Sequence, residues 1–258
     1  MISPVRVAVI AANTVREAVR SKVLYTLVFF AVLLIGTGVL LSTLTYVEGQ
    51  RILQSVGLAA IRLFGAAIAI FVGIGLIHRE VERRTIFTIL SKPVTRSEFL
   101  LGKYAGLVVT IWLQVLVMGA AFAAVSLLAG APLPLQVGYA LALAAVEFAV
   151  IVAFATLFSS FTTPMLAALF TSGLYLIGHL TRDLRDFGAR SESELVRVAS
   201  RALYRVLPDL ESFNLTTEAL HALAVPASDV VLATAYGAGY CTLLLMLGSL
   251  IFARRDFK

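Results

Sequence analysis

The sequence predicts an all-α polytopic membrane protein with six transmembrane helices. Three observations predict it. Of 258 residues, 60% are hydrophobic and only 14% charged, against roughly 45–50% and about 25% in a soluble domain. Several apolar runs reach the roughly 20 residues needed to cross a hydrocarbon core about 30 Å thick. The charges gather between those runs, most densely in HREVERRTIFTILSKPVTRSEFLLGK, His78 to Lys103. No run is left over for a separate soluble domain, so residues 1–258 are read as one transmembrane domain.

Residues 1–22 read as an interfacial helix. On a helical projection Arg6, Asn13, Glu17 and Arg20 form one stripe, with Val5, Val9, Ile10 and Val19 mostly away from it, the pattern of a helix lying along a membrane surface. The apolar run that follows is longer than the core of a signal peptide, so the segment is expected to stay attached. Spans 1 and 2 occupy 23–77. The second carries Arg62, which is costly at depth and is expected to snorkel to the outer interface or to face another helix. Gly57, Gly65 and Gly73 recur at eight-residue spacing on that span, which lets a neighbouring helix approach closely.

Residues 78–94 form a polar segment. Glu80 and Arg84 are four apart, on one helix face in the favoured order, and Ile86, Ile89 and Leu90 make an apolar edge. Pro93 cannot continue a helix, and Thr95 with Glu98 forms a T-x-x-E capping box before the next apolar run. Spans 3 to 5 follow over 95–180. The third, Thr95 to about Leu128, is near 50 Å long at 1.5 Å per residue, so its first turns are expected to project from the bilayer. Gly102 and Gly106 give it a GxxxG spacing for helix packing. The fourth carries Glu147 near its middle, at a cost of roughly 2.5–3.5 kcal/mol on insertion scales. This carboxylate must be protonated, paired or in a water-lined cavity, and its role is either in a transport pathway or as a structural hydrogen bond.

Residues 181–229 hold six Arg, eight acids and no Lys, and read as external amphipathic helices. Ser191 and Glu194 match a second capping box, followed by Leu195, Val198, Ala202 and Val206 on one face and Arg197, Arg201 and Arg205 on another. The sixth span and a basic tail fill 230–258. Residues 1–22 contain four Lys/Arg, 78–103 six and the tail three. Positive flanks stay in the cytoplasm, so both termini and the 78–94 segment are expected there, in the cytoplasmic membrane.

The residues from Glu80 to Gly106, of the pattern E-x-x-R-R-T-I-x-x-I-L-S-K-P-V-x-R-x-E-F-L-L-G-K, resemble the segment between the second and third spans of type-two ABC-exporter permeases. The turn LFSSFTTPMLAALF, Leu157 to Phe170, also resembles that family, and the chain as a whole resembles the branch that includes the nitrous-oxide-reductase maturation permease. The resemblance implies that 78–94 is a coupling helix docking on a separate ABC ATP-binding subunit, through Glu80, Arg83, Arg84, Thr85, Ile86 and Phe87. It also implies a second permease copy or a related permease, short external helices that partly re-enter the membrane before the last span, and ATP and Mg held by the partner ATPase.

No cofactor, metal or nucleic acid is expected on this chain, and lipids are its surroundings. The chain has no G-x-x-x-x-G-K-[ST] phosphate loop, no H-E-x-x-H and no G-x-S-x-G. Its histidines, His78, His179 and His221, carry no catalytic pattern, and one cysteine, Cys241, cannot form an internal disulfide. The sequence therefore reads as a permease subunit rather than an enzyme. The alternatives are an ion-coupled carrier, which would be expected to show repeat symmetry and clustered ionisable groups, and a non-transporting assembly subunit.

Overall fold

The computed structural model describes residues 3–44, 48–82 and 95–254, with the backbone alone at 77–82 and 252–254. All regular structure among them is helical. Helix α1 (Pro4–Val19) begins on a proline, whose fixed φ suits a first turn and whose missing N–H is not needed there. It leads through Ser21 into α2 (Lys22–Thr43), and α3 (Gly49–Glu82) returns along α2. Helix α4 (Arg96–Leu128) starts at the expected capping box. Thr95 Oγ1 accepts the Glu98 N–H at 3.2 Å, and Glu98 Oε2 accepts the Thr95 N–H at 2.8 Å. It ends on Gly130, whose φ of +71° lets the Ala131 N–H reach the Ser126 carbonyl at 2.9 Å. Helix α5 (Leu135–Ser159) follows, then α6 (Pro164–His179), which also opens on a proline.

Helices α3 and α5 are the centre of the bundle. Two-thirds of each apolar window is buried (67%), against 22% for α2 and 17% for the last helix, α10 (Ala227–Arg254). The glycine row of α3 explains the close fit. A Cβ added at Gly57 would strike the Phe122 ring of α4, and one at Gly65 the Phe148 ring of α5. At Gly73 the next atom is the Ala155 Cβ at 3.7 Å. Phe122 and Phe148 are fully buried in these notches, each of them a large apolar side chain removed from water or lipid.

Among the described residues five helices are long and apolar enough to cross a membrane, or six if α6 and the helix after it are counted as one bent span. The expected fifth span, ending at Leu180, is present and short. Helix α6 has 16 residues, about 24 Å at 1.5 Å per residue, short of the roughly 30 Å hydrocarbon core. At Leu180 the chain turns by 59° into α7 (Thr181–Arg190). Helix α8 (Glu194–Val206) folds back on α7, and a 3-10 turn (Leu210–Phe213) and α9 (Thr216–Leu220) follow. These last two pieces do not stay outside the bundle. The turn packs on α5 and α6 and α9 on α3 and α5, with Leu210, Phe213 and Ala219 fully buried.

The second expected capping box does not form. The residue before α8 is Ser193, and the Ser191 hydroxyl accepts from the Ser193 N–H at 3.3 Å, closing a local turn. A serine side chain competes equally well for either backbone. The faces of α8 are as the spacing requires, with Leu195, Val198 and Val206 exposed on one side. Its buried residue is Ser200, seated where α7 presents Gly188.

Candidate functional site

Near the end of α6 four helical pieces bring their polar residues together. Arg62 of α3 points into the bundle, and its side chain is only 14% exposed. Its Nη2 donates to Glu147 Oε2 of α5 at 2.9 Å, and its Nη1 donates to Asn214 Oδ1, just after the 3-10 turn, at 2.7 Å. Arg62 therefore does not snorkel: the carboxylate that offsets its charge lies across the helix interface, 85 residues away in sequence. The pair accounts for both costly polar choices at once, because each buried charge is tolerable only beside the other.

His179, the last residue of α6, completes the cluster. An arginine N–H can only donate, so His179 Nε2, 3.0 Å from Arg62 Nη2, is the acceptor. The ring proton then sits on Nδ1 and is donated to the Tyr175 carbonyl at 2.9 Å. The Tyr175 ring meets the imidazole edge-on, with centroids 4.6 Å apart. Glu147 Oε1 lies 3.3 Å from Nε2 without a directed hydrogen bond. In this tautomer it faces a lone pair, and a proton added at Nε2 would turn that contact into a donor–acceptor pair while repelling Arg62. Asn214 also accepts from the Thr216 N–H at 3.2 Å and hydroxyl at 2.6 Å, and donates from Nδ2 to Glu211 at 2.8 Å. The cluster thus ties the short pieces that fill the bundle beyond α6 to its two central helices.

The start of α4 makes a second polar assembly, at the opposite end of the bundle. Glu98, besides capping its own helix, accepts the Ser3 N–H at 2.7 Å and lies 3.7 Å from Arg6 of α1. One turn on, Lys103 pairs with Glu17 at 3.3 Å. Between these clasps sit Gly102 and Gly106. A Cβ at Gly102 would lie 2.6 Å from Ile10 Cβ, and one at Gly106 2.6 Å from both the Ala11 carbonyl oxygen and Thr14 Cβ. The GxxxG pair therefore receives α1, which lies on α4 through Val7, Ile10, Ala11 and Thr14. Val5 and Val9 remain exposed on its other side.

Of the docking residues expected from the sequence, Glu80 falls in the last turn of α3, where only the backbone is described. Arg83, Arg84, Thr85, Ile86 and Phe87 lie outside the described residues. Sequence reasoning missed His179 and Asn214. His179 had one usable signal, a histidine at the end of a short apolar run, whereas Asn214 sits in a polar stretch with nothing to distinguish it.

A bundle of membrane-length helices around a buried charge cluster defines a multi-pass membrane protein. Residues 8–257 match the family described as ABC-2 family transporter protein. The chain belongs to that family and is the permease subunit of an ABC transporter, a transmembrane subunit whose partner is an ABC ATP-binding subunit. No curated protein matches the sequence.

Proposed function

We propose that this permease serves an ATP-driven exporter of the cytoplasmic membrane, with both termini cytoplasmic, and belongs to the branch resembling the nitrous-oxide-reductase maturation permease. Two permeases, either two copies or one copy and a relative, surround a central route. The ATP-binding subunits, carrying ATP and Mg, dock on residues 78–94 through Glu80, Arg83, Arg84, Thr85, Ile86 and Phe87. The observation that carries this reading is the way α4 is fastened. A helix of 33 residues, rigid and about 50 Å long, begins directly after the proposed docking segment. Its first turns are clasped to α1 by Glu98 and Lys103 and notched against it at Gly102 and Gly106.

A push on 78–94 is therefore delivered to α4 and α1 as one body and passes along α4 to Phe122 in its α3 notch. At the far end, Glu147 and Arg62 close the route by holding the pieces after α6 against α3 and α5, and separating them opens it. The low burial of α2 and α10 leaves two apolar faces for a second permease and for lipid.

Affinity purification of the tagged chain from membranes in mild detergent tests this, followed by identification of bound proteins and an ATPase assay. The expected result is a stoichiometric P-loop ATPase that is lost in the Glu80→Lys/Arg84→Glu variant while membrane insertion is retained. ATPase retention by that variant refutes docking at 78–94. Solute movement down an ion gradient by the chain alone, with no ATPase bound, refutes the exporter.

A further inference from the structure

Between the α7–α8 hairpin and the first half of α10 lies an open cavity of about 570 Å³, within the 300–1,000 Å³ range of small-molecule sites. It is graded along its length. Asp229 stands in the first turn of α10 and Tyr240 eleven residues further, about 16 Å along the axis, or half the depth of a hydrocarbon core. The cavity's charged lining is Arg182, Arg205, Asp209 and Asp229, with Asp229 where α10 begins. Toward Tyr240 the lining is apolar and aromatic, with Leu232, Ala233, Tyr236 and Tyr240. A ligand matching this gradient is an amphiphile lying parallel to α10, head at the charged lining and chain toward the membrane interior.

The charges of the lining specify the head. Arg182 Nε donates to Asp209 Oδ2 at 2.9 Å, and the Asp209 N–H donates to the Tyr236 hydroxyl at 3.0 Å, so this pair is structural and close to neutral. Among the described residues Arg205 forms no ion pair, and the Asp229 carboxylate takes only the hydroxyl of adjacent Ser228, at 3.2 Å. One uncommitted guanidinium and one uncommitted carboxylate therefore share the cavity. A planar guanidinium selects phosphate by paired N–H donors. A carboxylate selects a cation that can donate hydrogen bonds, hence a primary ammonium over a quaternary one.

We infer that this cavity binds a phospholipid whose head carries both a phosphate and a primary ammonium, a phosphoethanolamine lipid, with phosphate at Arg205 and ammonium at Asp229. The site is separate from the Arg62–Glu147 cluster and independent of the exporter reading, because it needs neither an ATPase nor a second permease.

The test uses the full-length chain, purified in detergent, delipidated and titrated with short-chain phosphatidylethanolamine, phosphatidylglycerol and phosphatidylcholine while retained lipid is counted by native mass spectrometry. The expected result is one phosphatidylethanolamine retained about tenfold more tightly than either of the others, the size of one charge-assisted hydrogen bond. Asp229→Asn abolishes the preference over phosphatidylglycerol, and Arg205→Ala weakens all three. Both residues are exposed, so the melting temperatures of the variants stay at the parental value. Equal retention of the three lipids, or a preference that survives Asp229→Asn, overturns the proposal. Displacement of the lipid by water-soluble phosphoethanolamine at equal concentration overturns it in favour of a soluble ligand.

Discussion

Replacing Arg62 by leucine leaves the fully buried carboxylate of Glu147 without its 2.9 Å partner and removes the 2.7 Å donor to Asn214. Breaking a buried pair from one side costs about 3–5 kcal/mol, because the remaining charge is stranded in a low dielectric. For a chain of 258 residues, with roughly 2–4 °C of melting temperature per kcal/mol, the expected loss is about 6–20 °C. Glu147→Leu alone strands Arg62, but less severely, since Asn214 and His179 still accept from it. The double variant Arg62→Leu/Glu147→Leu leaves no charge to strand and is expected to recover most of the loss, giving a coupling of at least about 2 kcal/mol. The assay is the monodisperse fraction after heating in detergent, read by size-exclusion chromatography for the parent, both single variants and the double. Strictly additive losses, or a single-variant loss below about 1 kcal/mol, would refute the claim that these two residues neutralise one another in the folded bundle.

Gly106→Val would place side-chain atoms where the Ala11 carbonyl and Thr14 now lie, so α1 is expected to lift from α4, and limited proteolysis should trim the N-terminal residues faster with the rest of the chain intact. Gly65→Val drives a branched side chain into the Phe148 ring of the central pair and is expected to cost about 1–3 kcal/mol as overpacking, measured by the same heating assay. Gly75→Ala, where an added Cβ meets nothing within 4 Å, is the matched control and should leave stability unchanged or raised. Thr95→Ala removes the cap of α4 at a cost of about 1 kcal/mol, and hydrogen exchange should quicken in the first turn of α4 while the helix beyond Leu107 keeps its protection.

The long apolar runs were legible because the bilayer imposes a length and a composition on every span. The capping box of α4 was legible because Thr95 and Glu98 satisfy each other's backbone within four residues. The α3 glycines announced a close approach but not the partners, since nothing in the spacing says that phenylalanines from two different helices fill the notches. The pairing of Arg62 with Glu147 was hidden for the same reason: it is a contact between distant segments, and each residue alone reads as an isolated liability. The end of α6 was legible as well, because the chain turns polar at Thr181, Arg182 and Asp183. What was hidden is the packing at that end, where a Cβ at Gly178 would lie 2.7 Å from Leu210, a contact between segments that spacing does not announce.

That shortened helix gives the two halves of the bundle different ways of coming apart. Toward Pro164 the wall is continuous helix, whose ladder of i to i−4 hydrogen bonds opens only by unwinding. Beyond His179 it is patched with a 3-10 turn and a five-residue helix, held by a few buried side chains and the bonds of Asn214, the kind of short piece that opens locally at lower cost than a long helix. Detachment would also admit water to Arg62 and Glu147, returning hydration energy that burial had withheld. The charges that hold the patch in place thereby also lower the cost of its release.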